Sequence, residues 1–310
     1  MKCSFVVVSK NEEQNIADCL ESLIEIDCDK DIFLIDNGSS DRTLSIAKKY
    51  EVHTTVDNTA SVSKMRNVGA SLSSHEIICF VDADVIISQS WFDRMMEHLK
   101  KGDVGCACAP EKWCGDWPTW VEKTWLNAKG LVDTSVREVE WCQSGAFAIK
   151  RSVFNDVGGF NEDMVAGEDA DLGYRVSRKY RIIKDGSVFF LHKRTPKTLS
   201  QFFWQQVWHG KSSLAGMYNH GINMCEVPSV LMPISFCLCL FVAILFVLFD
   251  YRMSLIALIL SGLIVAACSI KKSLSYGMYK YLPLLFVLYV FFLSARGASF
   301  FVAGKRISSQ

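Results

Sequence analysis

This chain of 310 residues has no excess of positive or negative charge, because 33 lysines and arginines balance 33 aspartates and glutamates. A balanced net charge gives no indication of nucleic acid as a partner. The twelve cysteines include no Cys-x-x-Cys pair. This spacing argues against a zinc ribbon or a disulfide scaffold, and we expect reduced thiols in a protein that faces the cytosol.

The N-terminus lacks the pattern of a secretion signal. Its apolar run, Phe5–Val8, is too short for a signal core and is followed at once by Lys10 and Glu12. We therefore expect no cleaved leader in this sequence.

Charged residues are absent from Val227–Phe249, which contains no Asp, Glu, Lys or Arg. Two further apolar segments follow, Met253–Ile270 and Leu282–Ala303, and the last of them contains Arg296. A helix needs about 20 mainly apolar residues to cross the hydrocarbon core of a bilayer. The first segment meets this length, the second is at the lower limit, and the third either crosses or bends along the interface. Helices of a soluble core are the alternative interpretation.

These segments predict two domains, a catalytic domain over residues 1–220 and a membrane anchor of two to three hydrophobic helices over residues 221–310. The linker from Lys271 and Lys272 to Lys280 is basic, which favours the cytosolic side of a membrane. We therefore expect a multi-pass protein of the cell (inner) membrane whose catalytic domain faces the cytoplasm.

Two further features bear on the membrane. The pair Lys305 and Arg306 also favours the cytosol, which argues against a full third crossing and for an interfacial or re-entrant end. Leu199–Tyr218 has an amphipathic pattern, so this stretch is predicted to be a helix that could lie at a membrane surface.

Short β-rich runs alternate with helical patterns over the first half of the chain. The strands are predicted at Cys3–Val8, Asp31–Ile35, Val52–Val56 and Glu76–Val81, and the helices between them at Glu12–Ile26, Arg42–Tyr50 and Ser61–Ser73. This alternation is typical of an α/β protein with a mostly parallel sheet and helices on both faces. Ligands of such sheets bind beyond the carboxyl ends of the strands, where the polar residues that follow Val8, Ile35 and Val81 fall.

Acidic residues stand at two of these strand ends. Asp82 and Asp84 follow a strand directly, and Mg²⁺ or Mn²⁺ is commonly held by one or two carboxylates together with substrate phosphates. An ordinary acidic turn is the alternative. Asp36 ends another strand, where it either caps the next helix or accepts a hydrogen bond from a nucleobase.

A third acidic cluster comprises Glu168, Asp169 and Asp171, at the start of a predicted helix. Acids in a first turn are favoured by the helix dipole, which is a purely structural explanation. A positioned carboxylate is also what the removal of a hydroxyl proton requires, so one of the three is a candidate general base.

Six segments in a fixed order resemble the family-2 glycosyltransferases, which have the nucleotide-diphosphosugar-binding (GT-A) fold. The resemblance runs from about Cys3 to Gly210. It rests on Val-Ser-Lys-Asn-Glu-Glu at 8–13, Ile-Asp-Asn-Gly-Ser-Ser-Asp at 35–41, Lys-Met-Arg-Asn-Val-Gly-Ala at 64–70, Phe-Val-Asp-Ala-Asp at 80–84, Gly-Gly-Phe-Asn-Glu at 158–162 and Gly-Glu-Asp-Ala-Asp-Leu at 167–172.

The resemblance implies a role for each matching residue. Asp169 would be the general base, and Glu168 beside it would hold the acceptor or the geometry. Asp84 would ligate Mg²⁺ or Mn²⁺, with Asp82 near the ribose and donor sugar and His192 at a position that contacts metal or phosphate. An ordinary surface histidine is the alternative for His192. Glu12 and Asp36 would contact the nucleoside, and Lys64 and Arg66 would approach the nucleotide or diphosphate. The remaining nucleotide-sugar contacts would come from Ser9, Asn11 and Asn37.

The implied activity is inverting transfer of a hexose or N-acetylhexosamine from a nucleotide-diphosphate donor, by resemblance a UDP-sugar. The hydrophobic segments suggest a lipid-linked (polyprenyl) glycan as the acceptor, in polysaccharide or cell-envelope synthesis. Processive members of the family carry Gln-x-x-Arg-Trp, whereas Trp208 stands here in place of the arginine, which favours non-processive transfer. The alternatives are a nucleotidyltransferase, or a membrane scaffold with an inactive nucleotide-sugar domain.

Overall fold

The computed structural model describes residues 2–142, 145–164, 167–220 and 227–300. The chain divides into two compact units. The first comprises Met1–Gly115 and Leu131–Thr195, and the second comprises Asp116–Gly130 and Pro196–Gln310. The division at residue 220 into a catalytic domain and a membrane anchor stays a prediction about function.

The first unit alternates strands with helices, as the sequence pattern predicts. Helix α5 belongs to the second unit. The strands and helices of the first unit are β1 (Lys2–Ser9), α1 (Ile16–Ile24), β2 (Asp29–Asp36), α2 (Thr43–Ala47), β3 (His53–Val56), α3 (Val62–Leu72), β4 (Ile77–Asp82), β5 (Val85–Ile86), α4 (Gln89–Leu99), β6 (Val104–Cys108), β7 (Glu111–Trp113), β8 (Val136–Val139), β9 (Ala146–Lys150), α6 (Arg151–Asp156), α7 (Glu168–Ser177), β10 (Arg181–Asp185) and β11 (Phe190–His192).

Among the described residues of this unit, eight strands form one sheet in the order β3-β2-β1-β4-β9-β6-β10-β8. The pairs β1–β2, β1–β4, β2–β3 and β6–β10 are parallel. Strand β9 runs antiparallel to both of its neighbours, and β8 runs antiparallel to β10. A smaller sheet joins β5, β11 and β7. The predicted α/β class with a mostly parallel sheet is confirmed.

Helices cover both faces of the large sheet. Successive side chains of a strand point to opposite faces, so one strand contributes to the core on each side. Phe5 and Val7 of β1 belong to a core that contains Leu20 of α1 and Trp91 of α4. Val8 lies on the other face in a core with Met65 of α3. Burial on both faces explains why β1 is an almost uninterrupted apolar run.

Two predicted helices are shorter in the structure. The helix expected at Glu12–Ile26 covers Ile16–Ile24, because Asn11 adopts a left-handed backbone with φ 54° and the Glu12 amide donates to Thr43 Oγ1 at 2.7 Å. The helix expected at Arg42–Tyr50 covers Thr43–Ala47, where Asp41 accepts from the Thr43 amide and hydroxyl.

The second unit is helical in its described part. It contains α5 (Trp120–Ala128), α8 (Leu199–His220), α9 (Val227–Phe246), α10 (Tyr251–Tyr276), a short 3-10 turn (Tyr279–Tyr281) and α11 (Leu282–Ser299). Three helical segments of this described part are long and apolar enough to cross a membrane, with 20, 26 and 21 residues. The prediction of C-terminal hydrophobic helices is therefore confirmed.

One detail of this region was predicted wrongly. Lys271 and Lys272 belong to α10 and not to a linker, because that helix continues to Tyr276 and ends at Gly277 with φ 65°. Only Lys280 remains in the short connection to α11. The predicted effect of Lys305 and Arg306 concerns residues outside the described ranges.

Aromatic side chains hold the second unit together. Trp125 of α5 packs edge-on against Phe202 of α8 at 4.9 Å between ring centroids, and it also contacts Phe292 of α11 at 5.7 Å. Arg296 of α11 reaches Gln206 of α8, with 3.4 Å between Nη2 and Oε1. The arginine that set the third apolar segment apart in the sequence thus lies against a polar side chain of α8.

Candidate active site

The carboxyl ends of β1, β2 and β4 bring three predicted site residues to one edge of the sheet. In the strand register Ser9 pairs with Asp36, and Val8 pairs with Asp82. Parallel neighbours end at the same edge, so residues far apart in sequence meet there. The predicted convergence of the polar strand ends is confirmed.

Asp36 is fully buried, and its oxygens are engaged by nearby polar groups. It accepts from Ser9 Oγ at 2.7 Å, from the Ser39 amide at 2.7 Å and from Ser39 Oγ at 2.6 Å. Asn37 beside it accepts from Lys10 Nζ at 2.8 Å. These bonds tie the loops after β1 and β2 together. The predicted contact of Asp36 with the nucleoside and that of Asn37 with the nucleotide sugar stay proposals.

The loop after β1 carries a second buried carboxylate, Glu12. Its Oε2 accepts from Asn15 Nδ2 at 2.7 Å, and its Oε1 lies 3.0 Å from Nη1 of Arg194. Burial raises the pKa of Glu12 to about 7, although Asn15 and Arg194 act in the opposite direction. The structure thus places Glu12 against a basic residue that the sequence patterns did not single out.

Arg66 of α3 forms two ion pairs in the buried part of the site. Nη2 lies 2.7 Å from Oδ1 of Asp82, and Nη1 lies 2.7 Å from Oε1 of Glu168. The arginine side chain is only 3% exposed, so each charge depends on the others for compensation. Arg66 therefore fixes the start of α7 beside the end of β4.

Burial also changes the titration of the strand-end acid. It raises the pKa of Asp82 to about 6, an effect that Arg66 opposes and the nearby Asp84 carboxylate reinforces. Lys64, two residues before Arg66 on α3, pairs with Asp57 at 3.2 Å and is partly exposed. Its predicted approach to the donor stays a proposal.

Asp84 and His192 meet through the small sheet. His192 pairs in register with Val85 of β5 and with Trp113 of β7, so that its ring lies between two carboxylates. Its Nε2 lies 3.2 Å from Oδ2 of Asp84, and its Nδ1 lies 2.9 Å from Oε2 of Glu111. Burial alone lowers the pKa of His192, but the two carboxylates outweigh it and raise that pKa to about 10.

The donor atoms around His192 fit an open site for a divalent cation. Within the described ranges, no group of three or more His, Cys, Asp or Glu side chains is arranged to hold a metal ion by itself. Asp84 and His192 offer an oxygen and a nitrogen side by side, and the second ring nitrogen is held by Glu111 in the manner usual for metal-binding histidines. Mg²⁺ in particular is normally bound by few protein ligands and shared with phosphates.

Asp169 lies in the first turn of α7, next to the Glu168 that pairs with Arg66. It is half-buried, whereas Glu168 is buried. Gly167 at the helix start has a φ of 83°, a left-handed conformation that suits glycine and turns the chain into α7. Asp169 is thereby held one residue from the Arg66 network, and its role as the base stays a proposal.

Sequence patterns missed two residues of this site, Glu111 and Arg194. Glu111 follows β6, whose carboxyl end lies at the same edge as that of β4, and this position was the available signal. Arg194 follows His192 by two residues, in the loop after β11. Neither contact was visible from local spacing, because each joins segments distant in sequence.

Comparison with solved structures identifies the fold. The described fold is similar to a mannosyltransferase from Pyrobaculum calidifontis, with a TM-score of 0.62, 15% identity and coverage of 98% of this chain and 88% of that one. It is also similar to residues 1–349 of Staphylococcus aureus TarS, with a TM-score of 0.51, 18% identity and coverage of 96% and 90%. The chain thus has a GT-A-like fold.

The model of glycosyl transferase family 2 matches residues 4–158, which is half of the chain, and the chain belongs to that family. Among its relatives, AglE of Haloferax volcanii is 24% identical over 58% of this chain and 65% of its own length. The uncharacterized glycosyltransferase EpsJ of Bacillus subtilis is 23% identical over 64% and 62%. The poly-beta-1,6-N-acetyl-D-glucosamine synthase of Staphylococcus epidermidis is 32% identical over 56% and 45%. The chain thus spans less than two thirds of these relatives' lengths.

Proposed function

We propose that this protein is a membrane-associated, inverting and non-processive glycosyltransferase. It transfers a hexose or N-acetylhexosamine from a nucleotide-diphosphate donor, which we propose to be a UDP-sugar. The acceptor is a hydroxyl of a lipid-linked glycan in polysaccharide or cell-envelope synthesis. The observation that carries the proposal is the double ion pair of Arg66, which brings Glu168 and the adjacent Asp169 to the acidic end of β4.

The proposed reaction is a single in-line displacement. Asp169 accepts the proton of the acceptor hydroxyl while that oxygen forms a bond to the anomeric carbon. The bond from the anomeric carbon to the diphosphate oxygen breaks, and its electron pair leaves with the nucleoside diphosphate. One displacement inverts the configuration, so an α-linked donor gives a β-glycoside.

Asp84 and His192 are the residues that would hold Mg²⁺ or Mn²⁺, with Glu111 orienting the imidazole. When bound, a divalent cation offsets negative charge on the departing diphosphate. The Pyrobaculum mannosyltransferase was solved with GDP-mannose and Mn²⁺, and TarS with UDP, which supports a nucleotide-sugar donor for this chain.

The apolar helices of the second unit support a membrane location and, with it, a polyprenyl-linked acceptor. Lys271, Lys272 and Lys280 cluster around the connection between α10 and α11, which favours the cytosolic side of an inner membrane for that end. On α8 the exposed Trp208 occupies the place of the arginine found in processive enzymes, which supports transfer of one sugar per encounter.

The proposal is tested with the purified full chain and a panel of nucleotide sugars, with and without Mg²⁺ or Mn²⁺. Metal-dependent release of a nucleoside diphosphate from one donor is the expected result. Donor binding without release would favour the inactive scaffold, and release of pyrophosphate from a nucleoside triphosphate and a sugar phosphate would favour a nucleotidyltransferase. Either result contradicts the proposal.

A further inference from the structure

The guanidinium of Arg194 lies near Asp84 and has no role in the reaction described above. Arg194 follows β11, and its Nε lies 4.0 Å from Oδ2 of Asp84. Nη1 lies 3.0 Å from Oε1 of Glu12, and Nη2 donates to the carbonyl oxygen of Asn11 at 3.4 Å. The guanidinium therefore joins the loop after β1 to the acidic end of β4.

Three other basic residues near these acids form ion pairs with other carboxylates of the protein. Arg66 is buried and compensates both Asp82 and Glu168, so its withdrawal would leave two mostly buried carboxylates without a counter-charge. Lys64 pairs with Asp57. The next residue after His192, Lys193, donates to Asp18 of α1. Arg194 is 42% exposed and contacts its main partner, Glu12, through only one of its three nitrogens.

Several contacts fix the position of Glu12, which pairs with this arginine. Its amide donates to Thr43 at 2.7 Å, its Oε2 is held by Asn15, and its side chain is 10% exposed. Asn11 keeps a φ of 54°, in a left-handed region that asparagine tolerates better than most residues. A guanidinium has five N–H donors in a planar fork, so pairing with one carboxylate oxygen leaves donors for a phosphate.

We propose that Arg194 binds the diphosphate of the donor and that Glu12 is a positioning residue that holds Arg194 beside Asp84. This assignment rests on the proposed nucleotide-sugar donor. It differs from the role that the family resemblance gave to Glu12, which was direct contact with the nucleoside. The two roles predict different dependence of binding on the number of phosphates.

The experiment measures the affinity of the full chain, in detergent with Mn²⁺, for UDP and for UMP. In Arg194→Gln we expect UDP binding to weaken about tenfold or more, while UMP binding changes less than about threefold, because charge-assisted hydrogen bonds to a phosphate are lost. Glu12→Gln should show the same selectivity with a smaller loss. The double variant should resemble Arg194→Gln alone, since the two residues act through one contact.

The neighbouring pair Glu13–Arg42 provides the matched control. It starts from the same loop after β1 but joins it to the segment between β2 and α2, with 3.1 Å between Arg42 Nε and Glu13 Oε2, and it has no part in the assignment. Arg42→Gln should leave both affinities unchanged. A thermal unfolding midpoint for each variant separates loss of binding from loss of folding.

Two outcomes overturn this assignment while sparing the proposed function. One is an equal loss of UDP and UMP binding in Glu12→Gln, as direct nucleoside contact requires. The other is unaltered UDP binding in Arg194→Gln. Failure of the unaltered chain to bind UDP or any other nucleoside diphosphate would instead overturn the proposed function itself.

Discussion

Arg66 and Glu168 lie 102 positions apart in the chain, yet Nη1 of the arginine donates to Oε1 of the glutamate at 2.7 Å. The same guanidinium also holds Asp82. A planar fork can serve two carboxylates at once, which a lysine ammonium does with less directional definition. This contact sets the start of α7 against the end of β4, and the proposed chemistry depends on it.

Removal of Arg66 should therefore destabilise the fold. Arg66→Gln leaves two mostly buried carboxylates uncompensated, with an expected loss of about 3–5 kcal/mol, and Arg66→Lys should lose less. The thermal unfolding midpoint of the purified chain measures this. Arg181→Gln is the control, because that exposed arginine pairs with exposed acids and should contribute about 0–1 kcal/mol. Equal midpoints for Arg66→Gln and Arg181→Gln would contradict the proposed importance of the network.

Replacement of the proposed base should separate binding from turnover. Asp169→Asn is expected to retain donor affinity while the turnover number falls about 100-fold or more, since general-base catalysis typically contributes that much. Donor binding by calorimetry and nucleoside diphosphate release measure the two effects. Asp156→Asn, at an exposed pair with Lys179, is the matched control and should behave like the unaltered chain. Retained turnover in Asp169→Asn would remove Asp169 from this role.

Glu111 should influence metal affinity through His192. Glu111→Gln removes the carboxylate that holds Nδ1, and we expect the Mn²⁺ concentration for half-maximal activity to rise about 10-fold or more. His192→Ala should raise it further. Glu97→Gln, at an exposed pair with Arg94, should leave the metal titration unchanged. A titration that is the same in Glu111→Gln and in the unaltered chain would argue against a metal at His192.

Acid stability should depend on Asp185, which is fully buried at the end of β10. Burial by itself raises its pKa, but bonds from Ser187, His98 and Arg94 outweigh this and lower it to about 2 from 3.8. A carboxylate with a lowered pKa stabilises the fold above its unfolded pKa and loses that effect as the pH falls, here between about 4 and 2. The contribution at neutral pH is about 2 kcal/mol.

Asp185→Asn should accordingly lower the unfolding midpoint at pH 7 and flatten its decrease between about pH 4 and 2. The pH dependence of the midpoint is the measurement. Asp103→Asn serves for comparison, because Asp103 forms an exposed pair with Arg181 and should change little. An unchanged acid profile in Asp185→Asn would show that other groups govern acid unfolding.

The ends of the α9–α10 pair should label from opposite sides of a membrane. Phe249→Cys lies near the connection between α9 and α10, and Lys280→Cys lies between α10 and α11. With a membrane-impermeant thiol reagent on sealed vesicles, we expect Lys280→Cys to react from the cytosolic side and Phe249→Cys from the other side. The parent chain, with its exposed Cys114, gives the background. Reaction of both positions from one side would contradict a spanning pair.

Local sequence determined much of the architecture. Apolar runs such as Ile77–Val81 fixed the strands, and the uncharged stretch at Val227–Phe246 fixed an apolar helix, because burial on both faces of a strand or immersion in lipid leaves little choice of side chain. The ends of helices were harder to predict from the sequence. The loop at Asn11 and the extension of α10 past Lys272 depend on caps and packing that no periodicity reveals.

The sequence by itself determined which residue types stand at the strand ends, and so the family, the acidic edge and Asp36, Asp82 and Asp84. Only the tertiary structure decided which partners these residues and their neighbours contact. It placed Arg66 between Asp82 and Glu168, His192 between Asp84 and Glu111, and Arg194 on Glu12. The physical reason is that ion pairing in a buried site depends on distance and solvent exclusion, which arise when distant segments pack and leave no mark in local spacing.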